Sequence, residues 1–80
     1  MMLENIANEM MAEVKNAEAK HAPMNSAHEG HSVLREEVEE LWDHVKADTG
    51  YSPEARKEAI QVGAMAIRYI YNLIDNRVVY

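Results

Sequence analysis

Eighty residues, no cysteine and a formal charge of −6 fit one small domain that has neither a disulfide nor a thiolate metal site to brace it. Lysine and arginine number 8 against 14 aspartate and glutamate, which argues against a nucleic-acid partner. No apolar run approaches the roughly 18 residues of a membrane span, and Glu4, Glu9 and Glu13 interrupt what would be the apolar core of a signal peptide. The expectation is a cytoplasmic protein with no membrane partner, in which an anionic substrate needs a metal bridge.

Leu3, Ile6, Met10, Val14 and Ala17 recur at three- and four-residue intervals and predict a helix over 2–21. Pro23 ends it, since proline supplies no N–H and disfavours helical geometry at Ala22. The short connector Ala22 to Asn25 favours two helices folded side by side. Ser26-Ala27-His28-Glu29 matches a capping box and starts a second helix over 26–48; a restart at Ser32, after Gly30, is the less favoured alternative. Gly50 is expected to take the left-handed conformation that closes it. Ser52-Pro53-Glu54 then opens a third helix over 53–75.

Apolar residues cover more than half of that third helix, too broad a face for two small partners. The fold class is therefore all-α: a single domain over 1–80, with three helices per chain and the third at the centre of a bundle completed by oligomerisation. Ala55, Ala59 and Gly63, four residues apart, would admit a close helix contact. The tail from Asn76 to Tyr80 has no repeated pattern and is expected to fray or to pack on a partner.

Five acidic residues fall between Glu36 and Asp43 with no lysine or arginine among them. On a helix they neighbour one another at three- and four-residue spacing, where like charges destabilise it. At about 100° per residue, Leu34, Val38, Leu41, Trp42 and Val45 form one apolar face, with Trp42 as core. Glu36, Glu39 and Asp43 then face solvent, whereas Glu37 and Glu40 lie on the flank of the apolar face, with His44 one turn beyond Glu40. Partly buried carboxylates either titrate upward or hold a cation. Glu58 occupies the same kind of edge on the third helix, one turn before Gln61, so antiparallel packing would bring Glu37, Glu40 and Glu58 together as oxygen ligands.

The paired elements Glu36-Glu37-Val38-Glu39-Glu40 and Glu58-Ala59-Ile60-Gln61 resemble the motif of the MazG-like all-α nucleoside triphosphate pyrophosphohydrolases, in small single-domain form, over about residues 26 to 75. The resemblance implies Mg²⁺-dependent hydrolysis, with Mn²⁺ as a possible substitute, of a nucleoside or deoxynucleoside triphosphate to the monophosphate and pyrophosphate. It also implies that Glu37, Glu40 and Glu58 are metal ligands and that Glu36 is the leading glutamate of the first element. Gln61 stands where the motif has aspartate, and its amide carbonyl can still ligate a metal or hold a water without bringing charge.

Glu36 or Glu40 is the candidate catalytic residue that orients or deprotonates the attacking water. Lys57 and Arg68 are candidate phosphate contacts, and His28 a candidate at the substrate's edge. His28, Glu29 and His31 do not form a zinc-protease motif, because Gly30 alone separates Glu29 from His31. The expected assembly is a homo-oligomer, dimer or tetramer. The alternatives are a non-catalytic nucleotide- or metal-binding relative and a structural helical oligomerisation module.

Overall fold

A computed structural model describes residues 2–76. It is all-helical, with α1 over Leu3–Lys20, α2 over Ala27–Lys46 and α3 over Pro53–Tyr69; α3 runs on into a π-helical end at Ile70–Asp75. The expectation for the tail beyond Asn76 lies outside the described residues.

Local chemistry sets each boundary. α1 begins without a side-chain cap and ends at His21, whose extended backbone leads into Pro23. The Ser26 hydroxyl accepts from the Glu29 N–H at 3.1 Å and the Glu29 carboxylate from the Asn25 N–H at 3.1 Å, so α2 starts at the earlier of the two expected places. Ser52 caps α3 by accepting from the Ala55 N–H at 3.0 Å, with Pro53 at the first helical position.

The end of α2 differs from expectation. Asp48, not Gly50, has the positive φ, 60°. The Thr49 N–H donates to the His44 carbonyl at 2.8 Å and the Asp48 N–H to the Val45 carbonyl at 3.1 Å, which is a Schellman closure with Asp48 at its left-handed position. The last turns of the expected third helix differ too. Beyond Tyr69 they widen to the i→i+5 pattern, ending where the Asn76 N–H reaches the Tyr71 carbonyl at 3.1 Å.

α3 is the common wall. It packs on both α1 and α2, while α1 and α2 barely touch one another, so the short connector does not fold them side by side. Along α2, the residues turned toward α3 are Gly30, Leu34, Glu37, Leu41 and His44, all buried or half-buried; along α3 the matching row is Ala55, Glu58, Val62, Met65 and Tyr69. Both rows step alternately by three and four, the spacing of an antiparallel helix seam. This phase corrects the expected apolar face of α2. Val38, Trp42 and Val45 lie beside the seam rather than in it, and Trp42 is 56% exposed instead of core. α1 lies parallel to α3, tied by the Glu9 to Arg56 ion pair, by the Gln61 amide donating to Glu13 at 2.7 Å, and by Glu18 to Arg68 at 2.9 Å.

Two glycines permit close approach for different reasons. A Cβ on Gly30 would lie 2.6 Å from the Tyr69 ring and 2.7 Å from a Leu73 methyl. On Gly63 it would meet the Met10 thioether at 2.5 Å, so this small residue serves a contact within the chain, with α1. A ring and a branched side chain packed in the seam yield less than the end of a methionine. Gly30→Ala is therefore expected to destabilise the protein by about 1–2 kcal/mol despite alanine's better helix propensity, and Gly63→Ala to leave it within about 1 kcal/mol of the parent, both read by urea unfolding. Asp48→Gly relieves the left-handed backbone and is expected to raise stability by about 0.5 kcal/mol in the same measurement.

Candidate metal centre

The seam brings a carboxylate of α3 to a pair of carboxylates on α2. Glu37 and Glu40, at i and i+3 on α2, meet Glu58 on α3, and each offers an oxygen within 4.8 Å of the other two. Glu37 and Glu58 are half-buried and Glu40 is exposed. Seam positions ordinarily carry apolar side chains, so α3 lowers the solvation of Glu37 and α2 that of Glu58.

The electrostatics follow from this placement. Burial, and after it the charge and hydrogen bond of Glu40, with smaller contributions from Glu58 and Glu36, push the Glu37 carboxyl up to about 7. Burial and the hydrogen bond and charge of Glu40 also raise Glu58, against the opposing pull of His44 and Lys57. None of the ion pairs among the described residues reaches these three carboxylates: Arg35 pairs with Glu39, Lys46 with Asp43, Arg56 with Glu9 and Arg68 with Glu18. Converging oxygens with excess negative charge, opposed only by the more distant His44 and Lys57, are a donor set that could hold a hard divalent cation.

The other candidate residues are distributed more widely. Glu36 is exposed and lines, with Glu37 and Gln61, a groove of about 600 Å³ that runs between α1 and α2 over α3. The Gln61 amide nitrogen donates to Glu13 at 2.7 Å. Lys57 is exposed beside Glu58. His28 is exposed in the first turn of α2, nine residues before Glu37 and so about 13 Å away along the helix.

Arg68 is not a free cation at the groove. It is only 4% exposed; its guanidinium holds Glu18 and donates to the Ala22 carbonyl at 3.2 Å, so it fastens the end of α1 to α3. Sequence reasoning had no place for Glu13, whose only outward signal is its position one turn after Glu9 on a helix parallel to α3. The charge of His44, one turn beyond Glu40, acts on Glu58.

No protein-family model, curated protein or solved structure matches this chain. What the site can do is therefore argued from its own geometry and from the two-part motif.

A carboxyl raised from 4.5 to about 7 binds its proton more tightly in the folded than in the unfolded chain. Without divalent ions, the contribution of this group to stability is therefore expected to be full below about pH 4.5, to fall as pH rises to about 7 and to level off above it. Glu37→Gln should flatten that slope in chemical unfolding followed between pH 5 and pH 8. At pH 8 a bound cation should reverse the loss. At a free concentration about 100 times its dissociation constant, Mg²⁺ adds about 2.7 kcal/mol, a rise in Tm of roughly 10–20 °C that Glu37→Gln should abolish.

Proposed function

We propose that this protein is a Mg²⁺-dependent nucleoside triphosphate pyrophosphohydrolase that works as a homo-oligomer. The observation that carries the reading is the convergence of Glu37, Glu40 and Glu58 from two helices, because these are the positions at which the two-part motif requires metal-binding carboxylates. Glu37, Glu40 and Glu58 hold Mg²⁺ or Mn²⁺, with the Gln61 carbonyl as a further oxygen. When bound, the ion supplies charge neutralisation at phosphate oxygens.

The chain's own residues divide the remaining work. Glu36, exposed beside Glu37 in the lining of the groove, accepts a proton from the attacking water in this reading. The water oxygen bonds to the α-phosphorus, the anhydride bond to the β-phosphate breaks, pyrophosphate leaves, and the proton passes to Glu36 and then to solvent. Lys57, next to Glu58, faces the phosphates. The nucleoside lies in the groove, whose wall includes Val33 and Met65 and whose rim includes Asn16 and Lys20.

One observation favours a second reading. Where the motif carries a fourth carboxylate, this chain has an amide already engaged with Glu13, which supports a relative that binds a metal nucleotide without cleaving it.

A panel of NTPs and dNTPs incubated with Mg²⁺ and resolved by anion exchange separates the two. Monophosphate and pyrophosphate are expected from the parent, with a loss of at least about 100-fold in Glu40→Gln, the scale of removing one charge-stabilising group. Diphosphate and phosphate would refute the bond assignment. Mg²⁺-dependent nucleotide binding without turnover would establish the second reading.

A further inference from the structure

The flank of α2 away from the carboxylates is apolar and uncovered. Val38, Trp42 and Val45 repeat at i, i+4 and i+7 and are 48%, 56% and 46% exposed. Helical geometry puts Ala59 and Ala66 of α3 on the same surface, beyond which Ile70 is half exposed. The chain meanwhile buries little: among the described residues no large side chain is fully enclosed. Its accessible surface is 6039 Å², whereas a folded monomer of 9.1 kDa presents about 4,900 Å². The excess, roughly 1,100 Å², is of the size one partner contributes to a stable interface, about 800 Å².

We infer that this face is closed by a second copy of the same chain, with the two α2 helices antiparallel across a twofold axis near Trp42. Charge along the outer edge selects that arrangement. Arg35, Glu39 and Lys46 border the apolar stripe, all exposed. In the antiparallel register that sets Val38 against Val45 of the copy, Glu39 approaches Lys46 of the copy, and the twofold makes the contact twice. A parallel pairing would oppose Glu39 to Glu39. The inference rests on the homo-oligomer of the proposed function but not on its chemistry: the face lies on the other flank of α2 from Glu37 and Glu40, so the mass and Trp42 emission test it independently of turnover.

Trp42 is the only tryptophan, so its fluorescence reports this face directly. Sedimentation of the full chain should give twice 9.1 kDa, or an even multiple, with Trp42 emission shielded from water and shifting red on dilution as mass falls. Glu39→Lys and Lys46→Glu should each weaken association at least about tenfold, since each places like charges together twice, and the double exchange should restore it. Trp42→Ser should give single chains. Because Trp42 is exposed within the chain, helical circular dichroism at concentrations where the parent is associated identifies any loss of fold, and rescue by the double charge exchange tests the face even if single chains unfold. A single-chain mass at every concentration would overturn the inference. So would an oligomer whose Trp42 emission remains that of a water-exposed indole, or a double exchange no better than its singles.

Discussion

The contact between α2 and α3 has to serve as a core while containing acids. Gly30 lets the Tyr69 ring and Leu73 come down onto the α2 backbone at one end, and Leu34, Leu41, Val62 and Met65 continue the row. At its middle, positions that would suit leucine carry Glu37 and Glu58 instead. A seam so composed gives up apolar burial and adds like-charge repulsion, both of which work against an 80-residue fold with a small core. Residues that cost stability where they stand are the ones whose chemistry needs explaining.

α3 can support that seam because its other side is held independently. α1 lies along it in parallel, packed through Met10, Val14 and Ala17 and tied by Glu9 with Arg56, Glu13 with Gln61 and Glu18 with Arg68. The space left between α1 and α2 opens beside Glu37, so the groove is a product of the two helices not meeting. Glu37 thus belongs both to the carboxylate cluster and to the lining of the groove.

Much of this was legible in the chain. Ser26 with Glu29, and Ser52 with Pro53, mark helix starts through chemistry local to four residues, and the structure follows them. The meeting of Glu37, Glu40 and Glu58 was legible because three- and four-residue steps place them on facing edges of antiparallel helices. The rotation of α2 was not. Its apolar stripe is wider than the strip α3 covers, and a hydrophobic wheel points to the centre of the stripe, which is why Trp42 was expected in the core. Arg68 was legible as a candidate phosphate contact, and only the parallel course of α1 reveals that Glu18 and the Ala22 carbonyl hold it. The left-handed residue was sought at Gly50 because glycine adopts that geometry most readily, yet the hydrogen bonds from Asp48 and Thr49 close the helix two residues sooner.

The ties between α1 and α3 also give the molecule a graded mechanical character. Of these ties the exposed Glu9–Arg56 pair weakens as ionic strength rises, whereas Glu18 meets an Arg68 that is only 4% exposed, where salt screens less. α1 buries only Val14 deeply along its eighteen residues. α1 is thus held more loosely at its Glu9 end than where Glu18 meets Arg68, and the backbone amides near Glu9 open before those near Glu18.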